Sequence, residues 1–257
     1  MLGTGDYQPG PIRITFLVLR PDGAVVERPH ADLWLATNVD SPPLGRTTAR
    51  LESITAPGAD VNAQGSSVLY VSHIDVPRPG TYSILVRPTG SRAVAIDRIV
   101  VRSATKAPAV GSQATASATP TTASSGGQLQ RITTHVPPDR DLLRYSVADS
   151  LAAHVPFVLA FASPAICLNR TCGAVVDVVE AVKRELHTRA VRFIHVEPFA
   201  SNNPGLGFNR FARQWRLPSE PFVFLVGADG RIKAKFEGSV SVRELAGAVR
   251  SYLLQHA

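Results

Sequence analysis

The sequence predicts two folded units of different class, an all-β sandwich followed by an α/β unit, and three observations carry that reading. Residues 11–103 hold short runs rich in β-branched and alternating apolar residues, cut by Pro and Gly clusters. Residues 104–130 are built almost wholly from small residues and Pro. Residues 131–257 change grammar, with continuous apolar runs interleaved with a stripe of helical period. At 44% hydrophobic and 18% charged, the 257 residues hold enough apolar material for packed cores.

After an N-terminal tail, residues 1–10, the strands of the first unit follow one another closely. PIRITFLVLR (11–20) reads as a strand, PDG as a turn, and ADLWLAT (31–37) alternates Leu33 and Leu35 against Asp32 and Trp34. SSVLYVSHIDV, PRPGTYSILVRP and RAVAIDRIVVR continue the pattern. Short strands at this spacing predict a sandwich of immunoglobulin-like type, without the cysteine pair of antibody domains. His30 and His73 stand alone and the only Met is Met1, so a copper site here lacks its ligands and the histidines read as surface or edge residues.

Between Ser103 and Gln128 the stretch SATKAPAVGSQATASATPTTASSGGQ carries no aromatic and nothing large to bury. Such composition does not repay its ordering entropy, so residues 104–130 are expected to form a flexible linker.

In the second unit SVADSLAAH (146–154) reads as a short helix with Ser146 as N-cap and Asp149 three residues on. VPFVLAFAS is an apolar run of the kind a strand covered on both faces shows. From Gly173 to Leu186, Val175, Val178, Val179, Val182 and Leu186 share one helical stripe, with Asp177, Glu180, Lys183, Arg184 and Glu185 elsewhere. VRFIHVEPF is a second strand, FNRFARQW a helix, PFVFLV a third strand, ADG a turn, RIKAKFEG a fourth strand and SVRELAGAVRSYLL a closing helix. The strand–helix–strand length demands a right-handed parallel crossover, and the ADG turn adds an antiparallel hairpin.

Both cysteines of the chain, Cys167 and Cys172, fall where the first strand of this unit gives way to a helix. That placement, the stretch WRLPSEPFVFLV and the hairpin ADGRIKAKFEG together resemble the thioredoxin family over about Ser146 to Leu254. FASPAICLNRTCG is also similar to exported bacterial thioredoxin-like proteins with an N-terminal β domain. The resemblance implies an α/β thioredoxin-like fold, a cis-proline at Pro221 preceded by Glu220, and Gly238 as the family's late glycine. The chain departs from thioredoxins in spacing its cysteines four apart, in lacking a Trp before the first, and in lacking the buried acidic residue of the first strand.

A thiol attacks as thiolate, which helix N-terminal amides and nearby cations favour; a helix start follows Cys172 and Arg170 lies between the two sulfurs. Position after the strand makes Cys167 the attacker and Cys172 the resolver, whereas the Cys-Gly dipeptide at the helix start favours the reverse. Pro221 would present backbone to a partner chain, and Glu197 and Glu220 are the candidates for moving protons, or else solvated strand-end carboxylates. His195 reads as a satisfied, half-buried histidine.

The expected function is thiol–disulfide exchange with protein thiols or disulfides, with no metal and no cofactor. Three alternatives stay open: a permanent disulfide in an extracytoplasmic binding module, copper delivery of the Cys-x3-Cys type, and a peroxiredoxin-like activity. The net charge of +7 is carried mainly by Arg and is scattered, with no basic stripe interleaved with aromatics, which argues against nucleic-acid binding. No run of eighteen apolar residues is present, so no membrane span is expected. The linker composition points to an exported, extracytoplasmic or cell-surface protein whose signal or lipid anchor is not in this chain, and tethering to a membrane surface or cell-wall polymer is left open.

Overall fold

The structure, a computed structural model, describes residues 1–57, 66–92, 94–165 and 175–255. Six strands come first: β1 (Gly10–Phe16), β2 (His30–Ala36), β3 (Gly45–Ser53), β4 (Val68–Val76), β5 (Gly80–Pro88) and β6 (Ala95–Val101). They form one antiparallel sheet in the order β1-β4-β3-β2-β5-β6. Side chains alternate across a strand, so Ala31, Leu33 and Leu35 of β2 enter the core while Asp32 and Trp34 face out. There the Arg46 and Arg87 guanidinium groups lie 5.4 and 5.0 Å from the Trp34 ring and both pair with Asp32. Tyr7 bridges to Val101, and its carbonyl accepts the Arg102 N–H at 3.0 Å, so the chain ahead of β1 curls the sheet back towards its far edge.

This overturns the immunoglobulin-like sandwich expected for residues 11–103. Among the described residues the six strands make a single curled sheet, and one cluster including Ile14, Leu33, Tyr70, Ile84 and Ile99 fills its concave side without a facing sheet. A strand with one buried face alternates in the same way in either architecture, so the pattern alone does not separate them. β3 is an added strand: GRTTARLES buries Ala49 and Glu52 but is otherwise Thr- and Arg-rich, and its pairing to β2 and β4 leaves little apolar signal.

The remaining elements are α1 (Val147–Ala152), β7 (Phe157–Phe161), α2 (Val175–Leu186), β8 (Arg192–Val196), α3 (Arg210–Gln214), β9 (Phe222–Val226), β10 (Ile232–Glu237) and α4 (Val242–Val249). The Ser146 hydroxyl caps α1 by accepting the Asp149 N–H at 3.0 Å, as its position predicts. The four strands run in the order β10-β9-β7-β8. β7 is buried along its whole length because both faces are covered: Val158 and Ala160 join a core with α2 and α4, and Phe157, Leu159 and Phe161 one with Trp215. The start of α2 expected at Gly173 lies outside the described residues.

The α/β thioredoxin-like class expected for this half is also corrected. Only β7 and β8 are parallel; β9 runs antiparallel to β7 and β10 antiparallel to β9. The described chain as a whole has ten strands and four α-helices, two of them only six and five residues long. A single crossover long enough to carry a helix gives a single parallel pair, and the structure is a β-rich one with two sheets.

The stretch 104–130 is not a free tether. Ala107 and Ala114 are buried in the core beside Trp215, and Ser117, Thr119 and Thr121 are buried as well. Its backbone pairs with the turn before β10: Ala114 N–H donates to Gly230 O at 2.9 Å, and Ile232 N–H to Ser112 O at 2.9 Å. Small side chains bury little area but let the backbone approach closely, and hydrogen bonding to neighbours supplies what apolar burial does not.

The two sheets are joined by charge. Arg13 of β1 pairs with Glu244 of α4 at 2.6 Å and donates to the carbonyls of Glu237 and Ser239 at 3.0 and 2.7 Å. Glu237 in turn accepts the N–H groups of Gly5 and Asp6 at 2.7 and 2.8 Å. Gly238 has φ +70°, and a Cβ there would lie 2.4 Å from the Gly3 carbonyl oxygen, so only glycine lets the N-terminal segment cross. No described helix is long and apolar enough to cross a membrane.

Candidate functional site

The carboxyl ends of the parallel pair β7 and β8 point the same way, and antiparallel β9 begins there: Phe161 is opposite Val196 on one side and Phe222 on the other. Crevices outside the carboxyl ends of parallel strands are common ligand sites because the strand-end amides and side chains there are not consumed by the sheet. Three of the five expected site residues fall at this end. Glu197 follows β8, and Glu220 and Pro221 precede β9 with a cis peptide bond between them. Cys167 and Cys172, with Arg170, lie outside the described residues; the described chain stops at Ala165, just past β7, and resumes at Val175 in α2.

Glu220 accepts the Ser163 N–H through Oε2 at 3.4 Å, which ties the start of β9 to the end of β7. Pro221 is buried, and its carbonyl accepts the Gly238 N–H at 2.9 Å. Glu197 is only 4% exposed, so it is not the solvated strand-end carboxylate that was the alternative to a functional role. Its Oε1 accepts the backbone N–H and the hydroxyl of Thr134, both at 2.6 Å, while Oε2 has no hydrogen-bond partner. The Thr134 oxygen accepts the Ala165 N–H at 3.1 Å. A strap at Thr133–His135 thus crosses the strand ends and holds the chain leading to the cysteines.

His195 is more buried than expected, at 2% exposure. Nε2–H donates to Ala162 O at 2.9 Å and Nδ1 faces the Thr133 hydroxyl at 3.3 Å. Burial holds its pKa below the ordinary histidine value. His195 and Glu197 both border a cavity of about 110 Å³, together with Arg131, Phe199, Asn202 and Asn209.

The strap also places His135 against α2. Its Nε2 is 2.8 Å from Asp177 Oδ1 and its Nδ1 is 3.2 Å from Glu180 Oε1. The Asp177 hydrogen bond holds the His135 imidazole above its ordinary pKa, and burial pushes the Glu180 carboxyl up. Among the described residues these are the three His, Cys, Asp or Glu side chains grouped closely enough to hold a metal ion, their ligand atoms all within 4.8 Å of one another. Sequence reasoning missed the trio. Asp177 and Glu180 read as the solvent side of a helix and His135 stood in no motif; the available signal was the i, i+3 spacing, which puts both carboxylates on one helical face.

No protein-family model, no curated protein and no solved structure matches this chain.

Proposed function

We propose that the chain exchanges thiols and disulfides with protein partners through Cys167 and Cys172. The observation that carries the reading is that the chain entering the cysteine segment is tied at Ser163 and Ala165 to the strand ends where Glu197, Glu220 and Pro221 gather, while Val175, where the described chain resumes, is buried in the core with Ala160 and Ala162. Carboxylates at that position are suited to move the protons that thiol chemistry requires, and α2 directs its amide dipole towards the segment that precedes it.

In the reducing direction the Cys167 thiolate attacks one sulfur of a partner disulfide, forming a mixed disulfide and releasing the partner's first thiolate. The Cys172 thiolate then attacks the Cys167 sulfur, releases the second partner thiol and leaves a Cys167–Cys172 disulfide. Two electrons pass to the partner, and an external dithiol returns them to the pair. Oxidation of a partner dithiol is the same sequence reversed, and the relative potentials set the direction.

The test is the reduction potential of the pair together with thiol titration, on the full chain and on Cys167→Ser and Cys172→Ser. An exchanging pair has a potential well above about −300 mV, and each serine variant loses turnover of a disulfide substrate. A potential below that value, with both variants changing nothing but stability, overturns the proposal and leaves a structural bridge in a binding module.

A further inference from the structure

We propose that His135 and Glu180, with Asp177 orienting the imidazole, form a divalent-cation site of the class that takes imidazole nitrogen and carboxylate oxygen, Zn²⁺ or Co²⁺, between the 133–135 strap and α2. The proposal does not depend on the thiol chemistry.

The starting point is an unsatisfied contact. His135 Nδ1 and Glu180 Oε1 are both buried and lie 3.2 Å apart, yet neither has a hydrogen-bond partner. The side chains are only 10% and 13% exposed, so water does not readily make good the loss. On the opposite side of the ring Nε2 lies 2.8 Å from Asp177 Oδ1, a carboxylate that only accepts, so in the neutral ring the proton is on Nε2 and the Nδ1 lone pair faces a carboxylate oxygen. In that neutral ring the two lone pairs repel at this distance, and a metal ion between them answers both.

The spacing fits a metal. Bonds of about 2.0–2.1 Å at a tetrahedral angle put neighbouring ligand atoms about 3.3 Å apart, close to the separation seen between Nδ1 and Oε1. Asp177 then occupies the role of the carboxylate that accepts the second ring N–H of a metal-bound histidine, orienting the ring and raising its basicity. Charge points the same way. Asp177 and Glu180 face His135, Asp139 adds negative charge from nearby, and among the described residues Arg184 is the cation that pairs with Glu180, 3.7 Å from its other oxygen and 60% exposed. Lys183, the adjacent cation, is committed to Asp139 and Asp141 at 2.5 and 3.3 Å. A dication answers both carboxylates at once, whereas a proton on Nδ1 makes no hydrogen bond to Glu180 at this geometry.

The experiment is calorimetric titration of Zn²⁺ alone into chelator-treated full chain carrying Cys167→Ser and Cys172→Ser, so that neither cysteine can supply a ligand. One ion per chain is expected. Adding His135→Ala or Glu180→Gln weakens binding by more than about 100-fold, and Asp177→Asn, which keeps the side-chain shape, by about 10- to 100-fold. Co²⁺ in place of Zn²⁺ gives visible d–d bands. Absence of saturable uptake overturns the site, as does uptake that the three variants leave unchanged while they keep the parent's far-ultraviolet circular dichroism. Because the chain titrated has no cysteine, failure of the exchange reading leaves this measurement intact.

Discussion

Glu197 and Thr134 are joined twice, for one carboxylate oxygen accepts both the backbone N–H and the hydroxyl of the threonine, each at 2.6 Å. The same hydroxyl oxygen accepts the Ala165 N–H, so a single side chain links the end of β8, the strap and the chain that leaves β7. Thr134→Val removes a donor from a buried carboxylate and an acceptor from Ala165 together. Its expected cost is about 2 kcal/mol, seen as a lower urea midpoint at unchanged slope, while Thr134→Ser keeps nearly full stability. A valine variant as stable as the parent would show that the link is not structural.

His195 sets a pH dependence whose sign can be worked out. The unfolded chain takes up the histidine proton near pH 6.5, and the folded chain only at lower pH because burial disfavours the imidazolium. Between those values the unfolded state binds more protons, so stability present above about pH 6.5 is lost as the pH falls through this window. Glu197, which favours the charged ring, and His135, which opposes it, are the charged neighbours. His135 itself acts in the opposite sense: its raised pKa gives stability that is complete below about pH 6.5 and fades as the pH rises through the folded value. His195→Gln is therefore expected to flatten the acid limb of the stability–pH curve measured by denaturant unfolding between about pH 7 and 5. An unchanged acid limb would assign that limb to other groups.

How much of this was legible in the sequence varies with the kind of interaction. Strands with one apolar face or none exposed, such as ADLWLAT and VPFVLAFAS, were readable because burial writes period two or a continuous run into the residues. The order of elements after Ser146 was readable for the same reason, and the peptide bond before Pro221 is cis as expected. The way six strands close on themselves was not, since it depends on curvature and on Tyr7 reaching Val101 from outside any strand. The Glu197 end of the site could be named from its strand position, whereas Thr134 and His135 arrive from a segment without periodicity and act through long-range hydrogen bonds. Polar contacts of that kind leave no local signature.

The docked 104–130 stretch makes a prediction of its own. Ser117 Oγ accepts the indole N–H of fully buried Trp215 at 3.2 Å and bonds the Gln214 side chain at 2.8 Å. Ser117→Ala leaves the buried indole N–H unpaired and is expected to cost about 1–3 kcal/mol. Limited proteolysis reads the same contact: the parent resists cleavage across 104–130 under native conditions, and the variant is cut there first. Rapid cleavage of the parent in that stretch would contradict the packing of Ala107, Ala114 and Ser117.

The joint between the sheets rests on Arg13 and Glu244, whose side chains are 10% and 12% exposed. Arg13 is bidentate to the carboxylate, at 2.6 and 2.9 Å, and donates two further bonds to the Glu237 and Ser239 carbonyls. Truncating one member of a buried pair leaves the other charge desolvated and unanswered, so Arg13→Ala is expected to cost about 3–5 kcal/mol. Arg13→Lys restores the charge without the planar fork and should recover less than half of that. Lys233 and Asp229 provide the control, since that pair, at 2.6 Å, has side chains 34% and 48% exposed and a lysine-to-alanine change there is worth about 0.5 kcal/mol or less. Scanning calorimetry of the three variants separates the cases: a large drop in Tm for Arg13→Ala beside a small one for Lys233→Ala is the expected order. Equal shifts would mean that the contact between the sheets is carried by backbone and apolar packing and not by this guanidinium.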